Sequence, residues 1–255
     1  MAWGIVTASS KGVGFTVAKA LARTGYDLVI ASRDEIRIRA VARRLEEEYS
    51  VRVVGMRLDL RSKNSLEAFL SMAGKVVSGG LDVFVVNYGN PSCEPCTIFE
   101  ATWDNWLEAA SMYLASTARI LSWLRWHKPV RTIIISSFTV REAHPPLGVS
   151  DTVRQGLSAL VRLAAREEPE LGPVLLLLGS FRTPGALQTI ERLANKAGIS
   201  VEEYWKKYVD SLSPLGRSGE LEELEEMILL LARAPAYLTG ATILFDGASS
   251  RCIWS

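Results

Sequence analysis

Short apolar segments rich in Val, Ile and Leu alternate with longer segments in which apolar residues recur every three or four positions. The first kind is typical of buried strands and the second of the helices that cover them. The predicted strands are residues 3–7, 27–32, 51–58, 81–86, 130–135, 174–178 and 241–245. Strands that are apolar on both faces and separated by helices predict a parallel sheet covered on both sides.

Predicted helices fill the intervals between these strands. They cover about residues 14–24, 34–49, 62–77, 102–126, 147–166 and 219–233, and residues 184–213 carry further helical segments without strand character. No linker, repeat or low-complexity segment divides the chain, and 255 residues are within the range of one large α/β domain. We therefore expect residues 1–255 to form a single domain.

The composition excludes several classes of partner. Acidic and basic residues are interspersed and the formal net charge is +1, so we expect no nucleic-acid partner and no polybasic membrane patch. No charged and apolar leader precedes the first strand, and apolar runs such as residues 174–178 are too short to span a bilayer. We expect a cytoplasmic protein that acts on a small molecule.

The segment between the first predicted strand and the first predicted helix has the form of a phosphate-binding turn. Residues 7–14 read Thr-Ala-Ser-Ser-Lys-Gly-Val-Gly. Gly12 and Gly14 let the backbone approach a pyrophosphate closely, and free N–H groups at the helix start attract its negative charge. The turn predicts a dinucleotide site.

This turn resembles Thr-Gly-x-x-x-Gly-x-Gly, the opening motif of the short-chain dehydrogenase/reductase superfamily. Thr7, Gly12 and Gly14 are kept, and Ala8 stands at the first glycine. Within that superfamily the chain resembles the 3-oxoacyl-carrier-protein reductase-like proteins. The resemblance implies an α/β fold of Rossmann type, a doubly wound parallel sheet of about seven strands with helices on both faces.

Four later segments extend the resemblance over almost the full chain. They are Asp59 after the third strand, residues 86–89 in place of Asn-Asn-Ala-Gly, residues 178–183 in place of Pro-Gly-x-x-x-Thr, and residues 239–247 at the closing strand. The resemblance implies that Asp59 accepts from the adenine amino group, that the backbone near Phe181 meets the nicotinamide amide, and that Thr183 contacts the neighbouring phosphate.

The residues after the second predicted strand favour NADP(H) over NAD(H). NAD-dependent enzymes generally place an acid there to bind the ribose 2′-hydroxyl, whereas this chain has Ser32 followed by Arg33. Lys11 adds a second cation, and a hydroxyl between two cations suits a 2′-phosphate. Asp34 is the alternative acid, but it opens a charged helical run and is better interpreted as a helix N-cap. The predicted nucleotide contacts are Thr7, Ala8, Ser10, Lys11, Gly12, Val13, Gly14, Ser32, Arg33, Asp59, Leu60, Asn87, Tyr88, Gly89, Arg154, Gly179, Phe181 and Thr183.

The catalytic motif of the family is altered in this chain. In the family a Ser precedes a Tyr-x-x-x-Lys helix by 13 positions, and an Asn on the preceding long helix completes the set. The corresponding residues here are Ser137, Ser150, Arg154 and Tyr113, so the motif reads Ser-x-x-x-Arg and only the first serine is kept. A serine hydroxyl is a much weaker acid than tyrosine, and arginine does not release a proton at neutral pH.

Three interpretations are open. In the first, the chain is a reductase that takes its proton from another group, with Tyr113, His144 and Tyr88 as candidates. In the second, Ser137, Ser150 and an ordered water serve a substrate that needs little acid assistance. In the third, the chain binds NADP(H) without turnover, as a sensor or as a silent subunit of a hetero-oligomer. We favour an active NADP(H)-dependent oxidoreductase, because so many nucleotide-binding residues are kept.

Aromatic residues predict two further surfaces. Four tryptophans lie within residues 102–126, and in the family this helix and the one at 147–166 form a subunit interface, so we expect a homotetramer or a homodimer. Residues 184–213 match the variable substrate lid of the family. Their apolar and aromatic content favours an apolar carbonyl or alcohol as the substrate.

Cys93 and Cys96 have the spacing of a zinc or redox pair. A zinc site would need two more ligands, yet Cys252 is distant in sequence and the only histidines are His127 and His144. A redox pair is expected at a helix N-terminus rather than in a Pro-rich loop. We therefore favour two loop thiols that could form a disulfide, and we expect no metal.

Overall fold

The computed structural model describes residues 2–253, so that residues 1, 254 and 255 of the predicted domain lie outside the described residues. The strands are β1 Trp3–Val6, β2 Asp27–Ser32, β3 Val53–Arg57, β4 Val83–Val86, β5 Arg131–Ser137, β6 Val174–Leu178 and β7 Ala241–Phe245. They form one sheet in the order β3-β2-β1-β4-β5-β6-β7, with every pairing parallel. The predicted doubly wound parallel sheet is confirmed, and each predicted strand overlaps an observed one.

Helices cover both faces of this sheet. They are α1 Gly12–Arg23, α2 Glu35–Tyr49, α3 Lys63–Val76, α4 Trp103–Ala110, α5 Ser116–Leu124, α6 Gly148–Glu167, α7 Pro184–Ala197, α8 Val201–Tyr208 and α9 Leu221–Ala232. Helices α1, α2 and α9 bury Leu21, Ile38 and Ile228 against one face. Helices α3 to α6 cover the other face, where Phe69 and Leu124 are fully buried.

Alternation along the strands explains why both faces need a helical cover. Ile5 and Phe84 belong to the core under α3 to α6, whereas their neighbours Val6 and Val85 belong to the core under α1, α2 and α9. All four side chains are fully buried. Successive strand residues point to opposite faces, so a continuously apolar strand is stable only between two layers of helices.

The helix expected at about residues 102–126 is interrupted. Between α4 and α5 lies a π-helical segment, Ser111–Ala115. The hydroxyl groups of Ser116 and Thr117 donate to the carbonyl oxygens of Met112 and Tyr113, each at 2.6 Å. Single π-helical turns are frequent at functional sites, and this one carries Tyr113.

Candidate functional site

A cleft of about 660 Å³ opens at the carboxyl ends of the strands, where β1 and β4 lie side by side. This is the point at which the strand order reverses, and ligands of open α/β sheets bind there. The loops after β1 to β6 and the helix α7 line it. All the predicted nucleotide contacts except Thr7 and Gly14 are among the lining residues.

Thr7 and Gly14 instead hold the turn after β1 in place. The hydroxyl of Thr7 donates to the carbonyl oxygen of Asn87 at 2.7 Å, and Asn87 Nδ2 donates to the carbonyl oxygen of Ala8 at 3.1 Å. These bonds fix the turn to the end of β4. A Cβ atom at Gly14 would lie 2.3 Å from that same Ala8 oxygen, so only glycine fits.

The N-terminus of α1 is open towards the cleft. Lys11 is the N-cap residue, and within residues 2–253 its side chain makes no capping hydrogen bond. Asp34 and Ser62, by contrast, cap α2 and α3 with side-chain oxygens. The first N–H groups of α1 therefore keep a partial positive charge that suits an anion such as a phosphate.

Ala8 adopts a backbone conformation that favours glycine, with φ at +48°. An alanine held in this region lowers the free energy of unfolding by about 1–2 kcal/mol through backbone strain. Glycine avoids this strain, but its more flexible unfolded chain lowers the same free energy by about 0.4–1 kcal/mol. We expect Ala8→Gly to raise the free energy of unfolding by up to about 1 kcal/mol. Denaturant titration measures this free energy. The control is Ala40→Gly on the exposed face of α2, which should lower the free energy of unfolding by about 1 kcal/mol. A clear loss of stability in Ala8→Gly would contradict the strain.

Basic residues line the cleft together with Ser32, the last residue of β2. Ser32, Arg33 and Lys11 all line the cleft, as does Arg37 on α2. The carboxylate of Asp34 accepts from the backbone N–H of Arg37 at 2.9 Å, which confirms its interpretation as a helix N-cap. The acid nearest to the end of β2 is thus engaged by its own helix.

Asp59, at the end of β3, is paired with a residue that the sequence did not single out. Arg61 donates to its carboxylate from Nε at 2.9 Å and from Nη2 at 2.7 Å. The hydrogen bonds from Arg61, with smaller contributions that include the charge of Arg33, hold the pKa of Asp59 below its usual range. Asp59 is therefore ionised at neutral pH, and its contact with adenine stays a prediction.

The loop after β6 approaches the cleft closely. A Cβ atom at Gly179 would lie 2.6 Å from the Cα atom of Asp246 beside β7, so the backbone packs without a side chain there. Thr183 caps α7 by accepting from the backbone N–H of Ala186 at 3.2 Å. Gly179, Phe181 and Thr183 line the cleft, and their individual nucleotide contacts stay predictions.

Three of the four predicted catalytic residues form a connected group, and the four differ in access to the cleft. Ser150 and Tyr113 are fully buried, and their hydroxyl oxygens lie 3.2 Å apart. Arg154 donates from Nη2 to the Tyr113 oxygen at 2.6 Å, and its guanidinium carbon lies 4.6 Å from the centre of the Tyr113 ring. Ser137 and Arg154 line the cleft, whereas Ser150 and Tyr113 are not among its lining residues. The proton-transfer roles of Ser150 and Tyr113 stay predictions.

A buried carboxylate that the sequence did not predict orders the neighbouring loop. Asp151 accepts from the hydroxyl of Thr139 at 2.5 Å and from the backbone N–H of His144 at 2.8 Å. The same Thr139 oxygen lies 3.0 Å from the Ser137 oxygen. The backbone N–H of Thr139 also donates to the Ser137 oxygen at 3.3 Å, so this oxygen accepts within the loop and the Ser137 proton stays available to the cleft.

The other candidate acids are poorly suited as they stand. Tyr88 lines the cleft, but its oxygen lies 2.5 Å from the hydroxyl of Thr117. His144 is not a lining residue, and its Nδ1 lies 2.7 Å from the carbonyl oxygen of Glu142. Burial raises the pKa of both Tyr88 and Tyr113, which weakens each as an acid near neutral pH.

Glu94 is a second cleft residue that the sequence did not predict. It lies in the loop after β4, and 5% of its surface is exposed. Its neighbours Cys93 and Cys96 are free thiols, and burial raises the pKa of Cys93 to about 12. Residues 2–253 contain no group of three or more His, Cys, Asp or Glu side chains placed to hold a metal ion. Nor does any helix in this part of the chain have the length and apolar character needed to cross a membrane.

A profile of the family described as enoyl-(acyl carrier protein) reductase matches residues 7–249. The match includes the phosphate-binding turn, the altered catalytic segment and the closing strand. The chain belongs to the short-chain dehydrogenase/reductase superfamily. The predicted family is confirmed, and with it the assignment to NAD(P)-dependent oxidoreductases.

Two curated proteins illustrate the distance to other members. The chain is 26% identical over 251 residues to 3-oxoacyl-[acyl-carrier-protein] reductase FabG of Aquifex aeolicus, and the match covers 95% of both chains. It is 28% identical over 253 residues to human dehydrogenase/reductase SDR family member 2, mitochondrial, covering 97% of this chain and 86% of the relative. Both comparisons span nearly the whole molecule.

Two solved structures have the same fold. L-sorbose reductase from Gluconobacter frateurii, complexed with NADPH and L-sorbose, superposes with a TM-score of 0.87 at 22% identity. A variant of actinorhodin polyketide ketoreductase with NADPH superposes with a TM-score of 0.88 at 21% identity. Each match covers 98% of this chain and 97% of the other. At this identity the likeness establishes the fold alone.

Proposed function

We propose that this chain is an NADP(H)-dependent oxidoreductase that transfers a hydride between nicotinamide and a carbonyl or alcohol substrate. One observation carries the proposal: a continuous cleft joins the open N-terminus of α1 to Ser137 at the end of β5 and Arg154 on α6. A nucleotide bound at the turn and a substrate carbonyl beside Ser137 would share this cleft.

The residues of the turn fit a dinucleotide. Gly14 keeps the backbone turn tight, because a Cβ atom there would meet the Ala8 oxygen at 2.3 Å. The open N-terminus of α1 and the side chain of Lys11 would hold phosphate charge. The bound nucleotide would supply or accept the hydride, whereas the chain provides binding and orientation.

The charge around β2 supports NADP(H) rather than NAD(H). Arg33, Lys11 and Arg37 line the cleft with Ser32, and the carboxylate of Asp34 is engaged in capping α2. A 2′-phosphate gains charge-assisted hydrogen bonds from such a cluster. The two superposed structures contain NADPH, which adds to the argument.

Two of the predicted catalytic residues have direct chemical roles in this proposal. Ser137 donates a hydrogen bond to the substrate oxygen, and Arg154 stabilises the negative charge that develops there and binds a ribose hydroxyl. Tyr113 accepts from Arg154 and its oxygen lies 3.2 Å from that of Ser150, so Tyr113 positions the guanidinium and Ser150 supports Tyr113. Compared with the family motif, this chain therefore lacks the tyrosine proton donor but keeps a positive charge at the lysine position, on Arg154.

The alternative is a catalytically silent NADP(H)-binding protein, acting as a sensor or as a subunit of a hetero-oligomer. One observation favours it: Tyr113 is fully buried and does not line the cleft. If no other group replaces the family tyrosine, binding would persist without turnover.

A carbonyl panel separates the two functions. We expect wild-type protein to oxidise NADPH with at least one of a set of ketones, aldehydes, β-keto esters and o-diketones. Ser150→Tyr combined with Arg154→Lys should increase this rate, because it restores the family pair. Ser158→Tyr with Arg162→Lys has the same spacing on α6 outside the cleft, and it should not. Absence of turnover in wild type and in the restored variant would establish the silent protein.

Exposed apolar side chains support the proposed homotetramer or homodimer. Trp103 on α4 is 76% exposed, Trp126 after α5 is 84% exposed, and Leu163 on α6 is 54% exposed. Large apolar side chains gathered on neighbouring helices are typical of interfaces. A single domain with a lid at residues 184–213, an apolar substrate and a cytoplasmic location stay predictions.

A further inference from the structure

Glu94 lines the cleft, and its carboxyl group lacks a complete set of hydrogen-bond partners. The side chain is 5% exposed and lines the cleft, and its Oε1 atom is buried without a hydrogen-bond partner within residues 2–253. Arg192 on α7 donates to the backbone carbonyl oxygen of Glu94 and so holds this part of the loop. A buried unpaired carboxyl oxygen is costly, and its retention calls for an explanation.

The surroundings of Glu94 are those of an acid–base group. Arg154 and Ser150 on α6 stabilise its charged form, whereas burial, the largest effect, and the charge of Asp151 raise its pKa above the usual range. Arg154 in turn has a buried Nε atom without a hydrogen-bond partner among the described residues. The carboxyl group therefore holds a proton at a higher pH than a surface glutamate, and a nearby cation stabilises it after the proton leaves.

We propose that Glu94 exchanges the proton with the substrate oxygen at this site, in place of the tyrosine that the family uses. The inference rests on the proposed function. Among the other candidates, Tyr113 and His144 do not line the cleft, and Tyr88 is bonded to Thr117. Asp34 and Asp59 also line the cleft, but the backbone of Arg37 and the side chain of Arg61 engage their carboxylates, whereas Glu94 keeps an oxygen without a partner among the described residues.

The reaction balances with the groups named. In the reducing direction, the substrate carbonyl carbon gains the hydride that reduced nicotinamide supplies, and the carbonyl oxygen takes the proton from the Glu94 carboxyl group. The substrate would become an alcohol at the expense of a bound reduced nicotinamide, and Glu94 would be left as a carboxylate that the charge of Arg154 stabilises. Water from the cleft returns the proton. The oxidising direction runs the same transfers backwards.

This role also accounts for the change from lysine to arginine. Arg154 stays charged at any neutral pH, so it stabilises the Glu94 carboxylate without competing for its proton. Tyr113 is a positioning residue, because its oxygen accepts from Arg154 at 2.6 Å and its ring lies against the guanidinium.

The first test uses the protein without nucleotide or substrate. A raised pKa in the folded state means that neutral Glu94 stabilises the fold at low pH, and that this stability is lost as pH rises through its pKa. Glutamine stays neutral, so the melting temperature of Glu94→Gln minus that of wild type should increase between about pH 5 and pH 8. Asp151 titrates in both proteins, but it repels the Glu94 carboxylate only in wild type, which adds to the same increase with pH. The pKa of Cys93, at about 12, lies above this range. Tyr113 and Arg154 keep one charge state across this range.

The matched control is Glu191→Gln, the same change at an exposed position of α7 outside the cleft. Its difference from wild type should not change with pH. If the Glu94→Gln difference in melting temperature stays flat or falls with rising pH, the pKa of Glu94 is not raised in the folded state, and the proposal is overturned.

The second test measures carbonyl reduction with NADPH. Glu94→Gln should lower kcat/KM by roughly 10²–10⁴-fold, the usual share of general acid catalysis, and leave NADPH affinity nearly unchanged. In wild type kcat/KM should fall as pH rises through the pKa of Glu94, and the variant should lack this fall. Equal rates in both proteins would refute the role of Glu94. No turnover in wild type on any carbonyl would instead overturn the proposed function, and the catalytic role with it, whatever the stability titration gives.

Discussion

Gly14→Ala is expected to damage both the fold and the nucleotide site. Its Cβ atom would lie 2.3 Å from the carbonyl oxygen of Ala8, 2.7 Å from Asn87 Nδ2 and 2.8 Å from the Cα atom of Ser9. Two of these neighbours are backbone atoms, so the turn must move as a whole. We expect the free energy of unfolding to fall by about 1–3 kcal/mol, as for other overpacked interiors.

The same displacement should weaken NADPH binding. Loss of even one charge-assisted hydrogen bond costs about 1.5–3 kcal/mol, so calorimetry should show at least a tenfold higher Kd. Gly79→Ala is the control, because a Cβ atom at Gly79 has no neighbour within 4 Å. Normal stability and affinity in Gly14→Ala would mean that the turn is not held as described.

Arg33→Ala is expected to weaken NADPH binding and to leave NADH binding almost unchanged. Arg33 lines the cleft beside Ser32, and its Nη2 lies 3.9 Å from the position that a Cβ atom would take at Gly89. If Arg33 meets the 2′-phosphate, its removal should cost about 1.5–3 kcal/mol, or roughly 10- to 150-fold in Kd. NADH lacks this phosphate and should lose little.

The control for Arg33→Ala removes an equal charge nearby. Arg43 lies on α2, ten positions after Arg33 in the sequence. Its side chain is exposed and does not line the cleft. Arg43→Ala should therefore bind both nucleotides like wild type. If wild type prefers NADH, or if Arg33→Ala loses affinity for both nucleotides equally, the assignment of the 2′-phosphate site is wrong.

The fold could be predicted from the sequence because its strands carry an unambiguous signal. Segments such as residues 174–178 are apolar on both faces, and only a sheet between two helical layers buries them. The interruption of the helix near Tyr113 could not be predicted, since the π-helical segment Ser111–Ala115 has no composition that distinguishes it from an α-helix.

The nucleotide site was more predictable than the catalytic site for a related reason. Its predicted contacts stand at strand ends, so sequence position fixes where Ser32, Asn87 and Gly179 line the cleft. Glu94 is in an irregular loop whose path depends on tertiary contacts such as the bond from Arg192. Only the assembled structure places it where the charge of Arg154, sixty positions later in the chain, acts on its carboxyl group.

We expect the cleft to transfer a hydride directly from NADPH to a substrate carbonyl. The most direct measurement uses NADPH deuterated at one or the other face of nicotinamide C4, with mass spectrometry of the alcohol formed from the carbonyl that is reduced fastest. We expect one deuterium in the product from one labelled form, none from the other, and less product from Gly14→Ala at the same NADPH concentration. Absence of deuterium from both forms, or absence of any product while NADPH binds, would contradict the claim.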